Sequence, residues 1–124
     1  DRRHARLGVW STRAGDDGAP YLLPQETGNH EDVRWGEITD DSGHGGRVKH
    51  TVKPFAMSLL PYSSTMLEEA LHQDELPKPR PMFLRLLAAQ MGVRGDDSWM
   101  SPVHAQYQLP ADQPLSLNVQ LRLF

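Results

Sequence analysis

The last segment of the chain limits the fold most, because its residues alternate between apolar and polar. The segment LSLNVQLRL covers residues 115–123. Its apolar members are Leu115, Leu117, Val119, Leu121 and Leu123. A period of two is the side-chain period of a β-strand, in which alternate residues face the same side. The segment therefore predicts a β-strand with one apolar face that runs almost to the end of the sequence.

Other segments predict further strands with turns between them. In PFAMSLL the residues Phe55, Met57 and Leu59 alternate with smaller or polar neighbours. By periodicity MFLRLLAAQM fits a buried strand or a short helix, and the proline-rich PKPRP before it and the glycine after it favour the strand. Two more strands are predicted in DVRWGEIT, residues 32–39, and HAQYQL, residues 104–109. Together they predict a mainly β fold, an antiparallel β-sandwich.

One short helix is predicted in SSTMLEEALHQ, residues 63–73. Thr65 and Glu68 have the S/T-x-x-E spacing of a capping box, in which each side chain accepts a hydrogen bond from a backbone N–H at the start of a helix. The apolar stripe of this helix would consist of Met66, Leu67, Ala70 and Leu71. Glycine, aspartate and proline dominate RAGDDGAP, DDSGHGG and PKPRP, which predicts that these segments are loops.

Length, charge and cysteine content narrow the class of protein. A length of 124 residues predicts a single domain over residues 1–124. The formal net charge of -3, without a basic cluster, argues against nucleic acid as a partner, and no stretch approaches the roughly 18 apolar residues that span a bilayer. The absence of cysteine fits a reducing compartment, so a cytoplasmic location is expected. The opening at Asp1, without an initiator methionine, suggests a piece of a longer protein.

The adjacent carboxylates Asp96 and Asp97 invite a catalytic interpretation, since retaining glycosidases place two carboxylates about 5 Å apart across the scissile bond. Neighbours in an extended chain point to opposite sides, which argues against such a pair. Between Gly95 and Ser98 the two aspartates more readily accept hydrogen bonds from loop N–H groups and fix a turn. The structural interpretation is therefore favoured.

Metal and nucleophile chemistry find little support in the sequence. The histidines are His4, His30, His44, His50, His72 and His104. His44 and His50 lack a third ligand at a recognisable spacing, so no metal site is predicted. A triad of Ser98, Asp97 and His104 would depend on composition alone, because no G-x-S-x-G motif is present. SGHGGR matches no nucleotide-binding motif. We predict no catalytic residue in this chain.

The tryptophans carry more information. Trp10, Trp35 and Trp99 could all be core residues, and Trp35 follows the strand alternation with Val33. Trp99 differs because it lies between GDDS and MSP, on an irregular connection. A flat apolar ring beside hydrogen-bonding carboxylates suits a sugar, whose C–H groups stack on an indole. Sugar stacking by Trp99 and simple core packing both stay open at this point.

Several of these segments also occur together in a known family. MGVRGDDSW followed by SPVHAQYQLP, with YLLPQETGNHEDVRW upstream and SLLPYSSTMLEEALHQDELP between them, resembles the C-terminal domain of the lacZ-type bacterial β-galactosidases of glycoside hydrolase family 2, its small-chain region. The resemblance is colinear from Asp1 to Phe124 and covers about the latter half of that domain.

The resemblance implies a fold and a site. The fold would be part of a β-supersandwich similar to galactose mutarotase. The loop tryptophan, Trp99, would belong to the substrate platform and serve chiefly the initial binding of lactose, on the glucose side of the site. Gly95, Asp96, Asp97 and Ser98 would form the scaffold of its loop. Arg94 departs from the glycine usual in the family, and Thr27 and His30 depart from its P-Q-E-N-G-N-R segment.

The resemblance also implies where the chemistry lies. The catalytic glutamates and the adjacent magnesium ligands of the family belong to a central barrel that these residues do not include. No catalytic residue, metal or cofactor is therefore assigned to this chain, and magnesium and sodium are expected in the parent enzyme. The expected partners are a galactoside such as lactose and the remainder of the polypeptide, with homo-oligomers possible and no nucleic acid or membrane.

Two functions remain after this comparison of motifs. The chain is either the non-catalytic, substrate-contacting end of a retaining β-galactosidase, inactive alone, or an independent carbohydrate-binding or structural β-sandwich module. The first predicts that Trp99 is accessible to a sugar; a tryptophan buried among leucines would contradict it.

Overall fold

The computed structural model describes residues 7–14, 16, 21–78, 81–92, 95–97, 99 and 101–124. Over these residues the secondary structure is mainly β, with one α-helix and two short 3-10 helices. The strands are β1 (His30–Val33), β2 (Trp35–Thr39), β3 (Gly45–His50), β4 (Phe55–Leu60), β5 (Phe83–Leu87) and β6 (Val119–Leu123). Helix α1 is Ser64–Glu69, and the 3-10 helices are Gln73–Glu75 and Ala105–Tyr107. The predicted mainly β, antiparallel class with a short helix is confirmed.

The chain forms two compact units. Unit 1 combines Asp1–Val33 with Met57–Leu86, and unit 2 combines Arg34–Ala56 with Leu87–Phe124. The single domain over residues 1–124 stays a prediction. Within the described ranges, no helix has the length and apolar character needed to cross a membrane.

The first sheet has the order β1-β4-β5, so β4 is its central strand. The predicted strand in PFAMSLL is confirmed, but burial does not follow Phe55, Met57 and Leu59. The most buried residues of β4 are instead Phe55, Ala56, Ser58 and Leu60. A strand buried on both faces loses the apolar-polar alternation of a half-exposed strand. The strand interpretation of MFLRLLAAQM is also confirmed, since β5 lies inside it.

The start of unit 1 is tied to its later elements by polar contacts. The Glu26 carboxylate forms an ion pair with Arg85 of β5. Partial burial alone would raise the pKa of Glu26, but hydrogen bonds from Arg85 and Ser64, with the positive charge of Arg85, lower this pKa below its ordinary value. The Gln73 amide donates to the Tyr21 carbonyl oxygen at 2.5 Å. These contacts hold an irregular segment against the sheet and the helix region of the same unit.

The second sheet has the order β2-β3-β6, and both pairings are antiparallel. Val48 of β3 lies opposite Gly36 and Leu121, so these residues share one face of the sheet. Val48 is 2% exposed, whereas Leu121 and Leu123 on the edge strand β6 are 66% and 86% exposed. The apolar face is thus covered at β3 and open at β6.

Three sequence-based strand predictions are wrong in part or in whole. Residues 115–118 precede β6 and are not strand, so only the second half of LSLNVQLRL is confirmed. DVRWGEIT is divided at Arg34 between β1 and β2, which belong to different sheets, and Asp32 has a positive φ of 55°. HAQYQL forms the 3-10 helix Ala105–Tyr107.

Strand β3 begins at Gly45, inside the predicted loop DDSGHGG. Gly45 allows a close approach of this strand to its neighbour. A Cβ atom at Gly45 would collide with the Ile38 carbonyl oxygen of the neighbouring strand β2. The turn before it is real: Asp40 Oδ1 accepts hydrogen bonds from the backbone N–H groups of Ser42 and His44, both at 2.9 Å. Gly43 has a φ of +83°, which favours glycine. The segment is therefore a hairpin turn followed by a strand.

A helix is confirmed within residues 63–73, but it covers only Ser64–Glu69 and its cap is not the predicted Thr65. The N-cap residue is Ser63, whose hydroxyl oxygen accepts a hydrogen bond from the Met66 N–H at 3.2 Å. The helix buries Leu67 (7% exposed), and Ala70 follows it at 6%, while Leu71 is 65% exposed. The predicted apolar stripe is therefore correct at Leu67 and Ala70 and wrong at Leu71.

This cap gives a testable difference between two neighbouring hydroxyl residues. Ser63→Ala is expected to lower the free energy of unfolding by about 1 kcal/mol, because a helix N–H loses its acceptor. Thr65→Ala should leave it within about 0.5 kcal/mol, as for exposed sites without a special contact. Urea unfolding of both variants measures the difference. A larger loss of unfolding free energy for Thr65→Ala would show that Thr65 is the N-cap.

Candidate tryptophan loop site

The Trp99 loop, defined here as residues 92–107, is closed at its base by the backbone. The Gly92 N–H donates to the Tyr107 carbonyl oxygen at 3.3 Å. On the outgoing side, the chain turns through the 3-10 helix, where the Tyr107 N–H donates to the His104 carbonyl oxygen at 2.8 Å. The Gln108 amide donates to the Val103 carbonyl oxygen at 2.6 Å. These bonds fix both ends of the loop within unit 2.

A second closure lies higher in the loop at Gly95. Its N–H donates to the Ser101 carbonyl oxygen at 3.1 Å. A Cβ atom at Gly95 would lie 2.6 Å from that oxygen and 2.5 Å from the Pro102 carbonyl oxygen, closer than real Cβ contacts. Glycine is needed here because the two sides of the loop approach so closely.

Asp97 organises the tip. Its Oδ1 accepts hydrogen bonds from the Trp99 N–H at 2.8 Å and the Ser101 N–H at 3.2 Å. Its Oδ2 accepts from the Ser101 hydroxyl at 2.7 Å. Aspartate commonly fixes a turn in this way, by accepting from backbone N–H groups a few residues further along. Both carboxylate oxygens of Asp97 are thus used to shape the segment that carries Trp99.

Asp96 turns to a different partner. Its Oδ1 lies 2.9 Å from Nε2 of His104, which precedes the 3-10 helix on the outgoing side. The two adjacent carboxylates therefore bind different parts of the loop: Asp97 binds Trp99 and Ser101, and Asp96 binds His104. This arrangement differs from the paired carboxylates of a glycosidase, as expected from the sequence.

Trp99 is the most exposed tryptophan among the described residues. Its exposed fraction is 86%, against 53% for Trp10 and 46% for Trp35. The Trp35 ring is partly covered by Arg47, whose guanidinium carbon lies 5.4 Å from the ring centroid. Trp99 instead combines a free apolar ring with a backbone held at its own N–H. An exposed indole offers a rigid apolar face that can stack on a ligand, and the bond at its own N–H fixes the backbone that carries it.

The structure brings most of the predicted site residues together. Gly95, Asp96, Asp97 and Trp99 lie in this loop, while Ser98 and Arg94 lie outside the described residues. His104 pairs with Asp96, so the weak triad hypothesis gains no support. No group of three histidine or acidic side chains suited to a metal occurs in the part of the chain that the structure describes.

The sequence did not predict the roles that Ser101 and His104 have in the loop. Ser101 follows Asp97 by four residues, a spacing at which local turn hydrogen bonds form, so its role could have been found. His104 lies eight residues after Asp96, and no local rule connects residues at that distance. It becomes visible only once the outgoing side of the loop is in place.

Comparison with known proteins identifies the family. The family model described as "Beta galactosidase small chain" matches residues 1–121, so the chain belongs to the β-galactosidase small-chain family. The β-galactosidase resemblance inferred from the motifs is thereby confirmed.

The curated relatives show how the chain relates to longer proteins. It is 89% identical over 126 aligned residues to the β-galactosidase BgaC of Bifidobacterium adolescentis, with 100% of this chain and 12% of that protein covered. It is 38% identical to a β-galactosidase of Streptococcus thermophilus, covering 94% of the chain and 11% of the relative. A β-galactosidase small subunit of Latilactobacillus sakei is 42% identical, covering 76% of the chain and 33% of the relative. The chain thus spans only a small part of these relatives.

Proposed function

We propose that this chain is the non-catalytic C-terminal portion of a β-galactosidase and that it supplies Trp99 to the binding of a galactoside such as lactose. The observation that carries the proposal is the 86% exposure of Trp99 on a loop shaped by Asp97. The family membership supports a galactoside as the sugar.

The chemistry of stacking suits this arrangement. An indole offers a large rigid apolar surface, and a pyranose offers C–H groups on one face and hydroxyl groups at its edge. A loop already held in one shape loses little conformational entropy when the ligand binds, so more of the stacking energy appears as affinity. The bonds from Gly95 and Asp97 supply this preorganisation.

The bond-breaking step belongs to another part of the polypeptide. Hydrolysis with retention requires a nucleophilic carboxylate and an acid/base carboxylate about 5 Å apart, with a covalent glycosyl-enzyme intermediate. In this loop Asp97 is engaged with backbone N–H groups and Asp96 with His104. In this proposal the remainder of a family 2 glycoside hydrolase supplies that chemistry. The magnesium and sodium ions would belong to that remainder, and the enzyme would act in the cytoplasm.

The open face of β6 supports a large polypeptide partner. Leu121 and Leu123 are highly exposed on an edge strand, and the preceding Leu115 is 59% exposed. Among the described residues β6 pairs on one side only, and exposed leucines beside such an edge mark a surface that another segment covers. The remainder of the β-galactosidase polypeptide is the proposed partner, and homo-oligomers would build on the completed enzyme.

The division of labour is tested with a chromogenic β-galactoside. The full-length enzyme is expected to hydrolyse it, and the purified 124-residue chain at matched concentration is expected to show no hydrolysis above buffer. Heat-treated full-length enzyme serves as the control for background release. Hydrolysis by the isolated chain that survives repeated purification would place the catalytic groups here and contradict the proposal.

A further inference from the structure

His104 and Asp96 form a polar contact across the Trp99 loop. The 2.9 Å contact joins the incoming side of the loop to the residue that precedes the 3-10 helix on its outgoing side. The side chains are 54% and 83% exposed, so the pair lies at the surface. Such a contact does little for the stability of the whole chain, and its effect falls on the local shape of the loop.

The geometry of the loop shows what this contact adds. Gly95 and Ser101 hold the two sides together by one backbone bond, and Asp97 holds the segment that follows it. Neither contact reaches the outgoing segment beyond Pro102. The Gly92–Tyr107 bond joins that segment to the incoming side at the base of the loop, and the His104 imidazole adds a link nearer the tip, because it is held to Asp96, the residue directly before Asp97. Asp97 accepts the hydrogen bond from the Trp99 N–H, and the contact of its neighbour Asp96 with His104 limits the movement of Asp97.

We infer that His104 is a positioning residue for Trp99, acting through Asp96. This inference rests on the proposed sugar-binding role of Trp99. Loss of the imidazole releases Asp96 and lets the Asp97 turn, and with it the indole, occupy orientations that do not face the sugar. A small misplacement of a binding group costs affinity even when the group itself is intact. His104 itself makes no contact with the sugar in this scheme.

The test uses the full-length enzyme and the KM for lactose. His104→Ala is expected to raise KM by about two- to fivefold, the effect of losing one exposed polar contact to a carboxylate. His104→Gln should restore most of the loss, since its amide N–H can donate to the Asp96 carboxylate. The matched control is His44→Ala, which removes another exposed histidine near an aspartate, 3.7 Å from Asp40, in the β2-β3 turn. It is expected to leave KM unchanged.

A double variant separates this inference from the function on which it rests. In the Trp99→Ala background, His104→Ala should have no further effect on KM, because the group that it positions is gone. An equal loss in both backgrounds would overturn the positioning role, as would a His104→Ala enzyme with normal KM or one that His104→Gln fails to restore. If Trp99→Ala itself leaves KM unchanged, the proposed function fails first. Equal thermal midpoints among the variants establish that the fold is retained.

Discussion

Trp99→Ala in the full-length enzyme is expected to raise KM for lactose about tenfold or more without changing thermal stability. An aromatic ring that becomes buried against a ligand contributes about 1.5–3 kcal/mol, and each 1.4 kcal/mol is a factor of ten in binding. The same ring is 86% exposed in the chain described here, so its removal costs the fold little. Steady-state kinetics and a thermal melt of the same preparation measure both effects.

The control for this experiment is a tryptophan that the proposal leaves out. Trp10→Ala removes a different indole, 53% exposed, and should leave KM near the wild-type value. Trp99→Phe keeps a smaller ring and should lie between wild type and Trp99→Ala. Wild-type KM for Trp99→Ala would mean that the loop does not contact the substrate.

Phe55→Ala is expected to produce the largest loss of stability in the chain, about 3–5 kcal/mol. Phe55 begins the central strand β4 and is 2% exposed, the largest fully buried side chain among the described residues. Its truncation leaves a cavity as well as lost apolar burial, because the neighbouring strands relax only partly. Urea unfolding of the 124-residue chain, followed by far-UV circular dichroism, measures the change.

The matched control is Phe124→Ala, the same truncation at a side chain that is 46% exposed. The backbone bonds of Phe124 with Gly45, at 2.8 and 3.0 Å, do not depend on its ring. We expect a loss below about 1 kcal/mol. Equal losses for the two variants would contradict the placement of the core at β4.

Periodicity located strands in this sequence better than it located their ends. The alternation in LSLNVQLRL continues back to Leu115, yet pairing begins only at Val119, because β3 ends at His50 opposite it. Beyond that point the Thr51 N–H still donates to the Asn118 carbonyl oxygen at 3.0 Å. Alternation reports which side chains share a face, whereas a strand also requires a neighbouring backbone. The presence of that neighbouring backbone depends on the tertiary structure and not on the local sequence.

Glycine misled the sequence analysis in one place and helped in another. Gly45 and Gly46 indicated a loop, although Gly45 is required where β3 passes the Ile38 carbonyl oxygen. Gly95 indicated an irregular loop and lies in one, where close backbone approach excludes a side chain. Composition alone cannot distinguish a glycine that allows a turn from one that allows close strand packing.

The site was predictable in its local part only. The turn-forming use of Asp97 follows from a short polar loop interrupted by glycine and proline, and the structure has this feature. The residues alone left the exposure of Trp99 open, and the structure gives it as 86%. The contact from His104 to Asp96 depends on the return path of the chain, and HAQYQL gave the wrong secondary structure for that path. The turn formed by Asp97 could therefore be predicted from the sequence, whereas the contact between His104 and Asp96 could not.

The most direct test of the central claim is a crystal structure of the full-length enzyme with a bound, non-hydrolysable galactoside. We expect a sugar ring stacked on the Trp99 indole, with carbon atoms within about 4 Å of the ring. A galactoside bound at the catalytic carboxylates while the Trp99 indole faces solvent or packs into the protein would contradict it.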